Sequence, residues 1–102
     1  MSFTKQYLKS KPVCKVTFRV PAEAAKDANS VHIVGDFNSW DIYAIPLQKL
    51  RDGTFKVTLE LEPNHEYQFR YLIDEKTWEN DWDADKYVST PYGNDENSVV
   101  VV

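Results

Sequence analysis

Asp81-Trp82-Asp83-Ala84-Asp85 is the densest set of potential metal ligands in the chain. Carboxylates at alternate positions open a calcium loop of the EF-hand type, which also needs glycine at its sixth position and a bidentate glutamate at its twelfth. Here those positions hold Lys86 and Tyr92. The run therefore reads as a solvated acidic loop. His32, His65 and the single Cys14 are too few and too scattered for a zinc set. No metal or other cofactor is expected. Nucleophilic catalysis finds no G-x-S-x-G elbow, and three glycines leave no phosphate-cradling loop. Glycoside hydrolysis needs two carboxylates across a cleft, and a small sandwich has little depth to exclude water from one. The expectation is a protein that is not an enzyme.

The stretch GDFNSWD, residues 35–41, carries a different chemistry. Gly, Asp and Asn suit a turn, because they tolerate unusual backbone angles or bond their own main chain. Phe37 and Trp40 are not turn residues. Trp40, Trp78, Trp82 and Tyr92 all fall in loops or at strand ends rather than on alternating core positions. An exposed indole can cover the apolar C–H face of a sugar ring while Arg, Lys, Asn or Gln bonds the hydroxyl rim. Equally, such tryptophans can cap the ends of a core. Composition leaves both readings open.

The elements that must hold these residues are strands. Cys14, Val16, Phe18 and Val20 alternate with polar residues, as do Phe55, Val57, Leu59 and Leu61, and then Tyr67, Phe69, Tyr71 and Ile73. Phe18, Val57, Leu59, Phe69 and Tyr71 should share one interior. Val31 and Ile33 begin a shorter strand, and Val99 to Val102 end the chain on a β-branched run that is expected to lie at a sheet edge. Asp52-Gly53 and Pro63-Asn64 mark the turns between neighbours. About seven short strands indicate an all-β sandwich. Residues 1–12 read as an N-terminal arm, a short helix or an ordered extension, and residues 13–102 as the single domain. Residues 21–30 suit a loop with one turn of helix.

At 102 residues, 42% apolar and 27% charged, the composition is that of one globular domain. The net charge of −4 argues against nucleic acid or an anionic membrane as partner. That charge is uneven, since residues 1–19 hold five bases and no acid, while residues 74–86 hold six acids and two bases. One cysteine and no apolar leader after Met1 lead to the expectation of a reducing, cytoplasmic setting.

VHIVGDFNSWD, followed by PLQKLRDGTFKVTLELEPNHEYQFRYLIDEKTWEND, resembles carbohydrate-binding modules of family 48. These include the glycogen-binding module of the AMP-activated kinase β-subunit and the N-terminal domains of isoamylase and branching enzymes. The resemblance covers roughly residues 13–102 and implies an immunoglobulin-like β-sandwich. It also implies that Trp40 and Trp78 stack on glucose rings and that Arg70 bonds hydroxyls. In the late loop TPYGNDENS it points to Tyr92, Asn94, and Glu96 or Asn97, by a looser match. Two departures stand out: Glu75-Lys76 replaces the turn glycine, and Trp82 with its acidic neighbours is an addition. Arg70 stands where the kinase modules carry lysine, which keeps the charge but changes the hydrogen-bond geometry. The function implied is non-catalytic binding of α-1,4-glucans such as glycogen, starch or malto-oligosaccharides. The alternative is a domain of the same fold that docks a glycan-metabolising enzyme through its aromatic patch or the Val99–Val102 strand. Phe37 is then the core anchor of its turn, and Trp40 is carried outward.

Overall fold

The computed structural model describes residues 3–90 and 95–102. Nine strands are assigned among them: β1 (Phe3–Tyr7), β2 (Cys14–Val20), β3 (Val31–Gly35), β4 (Gln48–Lys49), β5 (Phe55–Leu61), β6 (Glu66–Ile73), β7 (Thr77–Glu79), β8 (Lys86–Ser89) and β9 (Glu96–Val101). One sheet has the order β1-β2-β5-β4. The other has the order β3-β6-β9-β8, with β7 also hydrogen-bonded to β6. Every pairing is antiparallel. The fold is an all-β, immunoglobulin-like sandwich, as the alternation and the resemblance lead one to expect.

The core lies between the sheets. Phe18 and Phe69 meet nearly edge to face at 5.2 Å, and Phe3, Phe37 and Tyr71 extend the same aromatic cluster. Such offset and tilted ring pairs add to what area burial alone contributes. Phe18, Phe69 and Tyr71 are buried as expected, but Val57 and Leu59 are only half-buried. The register gives the reason. β4 pairs only with Phe55 and Lys56, so β5 forms the edge of its sheet from Val57 onward and its inward side chains are open to the side.

Two further expectations change. Residues 3–7 are not a helix; they are ordered as a strand. All five pair with β2, from Phe3↔Phe18 to Tyr7↔Cys14, and Phe3 enters the core. Nor is the C-terminal run a free edge. β9 lies between β6 and β8, and Val99 and Val100 are fully buried. Residues 21–30 form a series of turns closed by Ala24 and Ala25 N–H donating to Pro21 O, and Ala28 N–H to Ala25 O.

β6 is the strand that organises the rest. β3 runs along one edge of it over Phe69–Ile73, while β9 (from Glu66 to Phe69) and β7 (from Tyr71 to Ile73) share the other. Its residues Phe69, Tyr71 and Ile73 point into the core. Gln68, Arg70 and Leu72 must then point away from it, since successive strand residues face opposite sides.

Candidate functional site

The outer face of the second sheet is built around Gln68, Arg70 and Leu72. Antiparallel partners share a face, so the register fixes their neighbours. Arg70 stands beside Val34, Gln68 beside Val99, and Leu72 between His32 on β3 and Trp78 on β7. Val34, Leu72 and Val99 are buried even though they lie outside the core cluster. They form a thin apolar layer on the outside of the sandwich, with larger side chains standing around it. Trp40 and Trp78 remain 37% and 45% exposed.

The turn that carries Trp40 accounts for every residue of GDFNSW. Gly35 is buried against β6, where a Cβ would collide with the carbonyl oxygen of Gln68 and with Phe69, so no other residue fits. Asp36–Asn38 form a single 3-10 turn. Phe37 packs against Phe18, Tyr67 and Phe69. Asn38 bridges the strand end, accepting from Gly35 N–H at 3.0 Å and donating to Ile33 O at 3.0 Å. Ser39 and Trp40 then both adopt left-handed backbone angles, with φ of 56° and 58°. That region costs a residue with a Cβ about 1–2 kcal/mol. The cost is offset by bonds at both ends of Trp40. Its backbone N–H donates to Gly35 O at 2.9 Å, and its indole Nε1–H donates to Asp36 Oδ1 at 3.0 Å. The second oxygen of Asp36 accepts the backbone N–H of Gln68 at 2.8 Å, which ties the indole to β6.

Arg70 is held just as firmly. Its Nε–H donates to Asn97 Oδ1 at 2.6 Å, and an Nη2–H donates to the carbonyl of Glu96 at 2.8 Å. Asn97 in turn donates from Nδ2 to Gln68 Oε1 at 3.0 Å. Arginine has donors only, so it dictates both amide orientations: Asn97 must turn its oxygen to Arg70 and its NH₂ to Gln68. Gln68 then has its oxygen engaged and its NH₂ left over. The other guanidinium N–H groups and this NH₂ have no protein partner among the described residues. The floor of the face therefore offers donors, suited to accepting oxygens on a ligand rim.

Trp78 is placed by the β6–β7 hairpin. Lys76 N–H closes the turn onto Ile73 O at 3.0 Å, and Asp74 and Glu75 between them both have positive φ, 53° and 60°. The loop is three residues long, 74–76, since Ile73 pairs with Thr77 across it. Asp74 Oδ1 anchors it by accepting from the backbone N–H groups of Asn29 and Ser30. Beyond Trp78, Asn80 pins the strand to β9, donating to Glu96 O and accepting from Ser98 N–H.

Residues 7–93 match the family model for carbohydrate-binding module 48, the isoamylase N-terminal domain. The chain belongs to that family. It is a family of carbohydrate-binding modules. No curated protein matches the chain significantly.

Within this module the register and hydrogen bonds bring Arg70, Trp78 and Asn97 onto one face, and Trp40 is tied through Asp36 to the backbone of the same strand, β6. Asn97 is nearly buried and its amide is spent on Arg70 and Gln68, so its part is to hold the floor in position. Tyr92 and Asn94 lie outside the described residues. Trp82 is exposed but stands elsewhere, beside a crevice lined by Arg19, Pro21, Ala24 and Asn80. The acidic loop around it is committed to the fold. Asp81 accepts the Tyr71 hydroxyl at 2.7 Å, and Asp85 accepts Lys5 Nζ and Val101 N–H, each at 2.7 Å. No helix among the described residues is long and apolar enough to cross a membrane. Sequence reasoning missed Asp36 and Gln68. The signal for Gln68 was present, since it lies two residues from Arg70 on the same strand face. That for Asp36 was not, because it depends on how the turn folds back.

Proposed function

We propose that this face binds α-1,4-glucan chains, with Trp40 and Trp78 as stacking platforms and Arg70 bonding hydroxyls between them. The observation that supports the reading is the pairing of two half-exposed indoles with a donor-only floor, in a module of a carbohydrate-binding family. A pyranose ring has an apolar C–H face for the indole and hydroxyl oxygens at its rim for Arg70 and Gln68. Asn97 acts through Arg70, and Tyr92 and Asn94 are proposed to flank the site. The module itself supplies no reaction. Its role is to hold an attached or associated enzyme, or the module alone, on the polymer. Binding of short oligosaccharides should be modest, about −4 to −7 kcal/mol, because a flat site displaces little water and must order a flexible chain. Repeated sites along a polymer raise the apparent affinity.

Titration with maltoheptaose, followed by backbone chemical shifts, tests the reading. Trp40→Ala and Trp78→Ala should each weaken binding by about 1–3 kcal/mol, by analogy with stacking of nucleic-acid bases on aromatic side chains. Each should change stability by less than about 1 kcal/mol, as expected for an exposed position. Arg70→Ala should weaken binding, and Arg70→Lys should restore part of it. Two folded tryptophan variants that bind maltoheptaose like the parent would overturn the proposal.

A further inference from the structure

We infer that Tyr43 is a third aromatic platform, which extends the glucan site past Trp40 and Trp78 and makes it select for longer chains. The inference rests on the glucan reading above. Tyr43 is 64% exposed, the most open of the large hydrophobic side chains described. Its backbone is held in place. Its N–H donates to Asp41 Oδ1 at 2.9 Å, and the segment after it is zipped to β3 through Ile33 N–H to Ile45 O, Leu47 N–H to Val31 O, and a bridge between His32 and Pro46. Its ring stands edge-on against the imidazole of His32, with centroids 6.3 Å apart and planes at 88°.

The sheet register shows where this places it. His32, Leu72 and Trp78 form one row across the outer face, so Tyr43 borders the row at the end opposite Trp78. Trp40 is tied through Asp36 to the row of Gln68, four residues along β6. Four residues of strand are about 13 Å, and crossing from β3 to β7 is about 10 Å. The three aromatics thus mark three corners of an area wider than one sugar ring, with Arg70 inside it. A ring already fixed in position loses little entropy on contact, so a rigid exposed aromatic at such a corner favours extra residues of a ligand. A trisaccharide has too little length to engage all three corners, whereas a heptasaccharide can reach them.

The test is calorimetric titration of the full chain with maltotriose and with maltoheptaose, for the parent, Tyr43→Ala, Tyr43→Phe and Trp40→Ala. Tyr43→Ala should weaken maltoheptaose binding about 5- to 150-fold, the range of one aromatic stack. It should leave maltotriose within about 2-fold, at the level of small surface changes. Tyr43→Phe, which keeps the ring, should bind both sugars like the parent. Trp40→Ala should weaken both. If Tyr43→Ala binds maltoheptaose like the parent while Trp40→Ala does not, the third platform is refuted and the glucan site stands. If Tyr43→Ala weakens both sugars equally, the length selection is refuted. A parent that binds neither sugar overturns the glucan reading and this inference with it.

Discussion

Asp36 shows how much of the candidate site depends on a residue that touches no ligand in the proposed mode. One carboxylate oxygen holds the Trp40 indole and the other holds the backbone of β6 at Gln68. Both bonds are exposed, so water can replace them when the carboxylate is removed. Asp36→Ala should therefore cost only about 0.5–1.5 kcal/mol of stability. What it releases is the orientation of a tryptophan already held at an unfavourable backbone angle. Maltoheptaose affinity should fall, by less than in Trp40→Ala, and the fluorescence anisotropy of the tryptophans should drop. Unchanged affinity with an unchanged anisotropy would show that packing alone orients the indole. The residue types that would stack and bond a sugar were legible in the sequence at Trp40, Arg70 and Trp78. The residues that hold them were not, because a hydrogen bond such as that from Gln68 N–H to Asp36 spans 32 positions and leaves no local pattern.

At the scale of elements, legibility followed burial on one face. β2 shows a strict alternation of buried and half-buried residues, and its period of two is visible in the sequence. β1 buries only Phe3, and β8 buries none of its four residues. Neither shows a period, because tertiary pairing decides their place. The β6–β7 turn is a second such case. Glu75, which with Lys76 stands in place of the turn glycine that the resemblance implies, occupies a left-handed position, φ 60°. Glycine adopts that conformation without the Cβ penalty of about 1–2 kcal/mol. Part of this gain is returned through the greater freedom of glycine in the unfolded chain, about 0.4–1 kcal/mol. Glu75→Gly should thus be neutral to stabilising by about 1 kcal/mol, a rise of several degrees in Tm at most for a domain of this size. A clear fall in Tm would mean that the Glu75 side chain stabilises the turn in a way its backbone angle does not reveal. Sugar binding should stay as in the parent, since the hairpin keeps its register and Trp78 its place.

Across the whole molecule, the uneven charge of the chain becomes a clasp between the two sheets. Lys5, from the basic start, meets Asp85, from the acidic loop, at 2.7 Å, and so joins the edge strand of the first sheet to the second. Deeper in, the same acidic loop supplies Asp81 to the hydroxyl of Tyr71, the largest of the fully buried side chains. Burial pushes the Tyr71 phenol well above its ordinary value near 10, and the charge and hydrogen bond of Asp81 push it the same way. The direction fixes the sign of the pH dependence. A phenol whose proton is held more tightly in the folded state contributes stability that is fully present below about pH 10, the unfolded value. That contribution is lost as the pH rises from there toward the folded value, because the unfolded chain releases a proton that the native protein keeps. Urea unfolding of the parent should accordingly weaken above pH 10. Tyr71→Phe should lose about 1–3 kcal/mol at neutral pH, because Asp81 Oδ2 remains buried without the hydroxyl donor, while Oδ1 keeps the Asp83 N–H. It should also lose less stability than the parent between pH 10 and 11.5, since the group responsible is gone. The two proteins share every other titratable group, so the difference between the two slopes isolates Tyr71. Parallel slopes would mean that the Tyr71 proton is no more tightly held in the folded protein than in the unfolded chain.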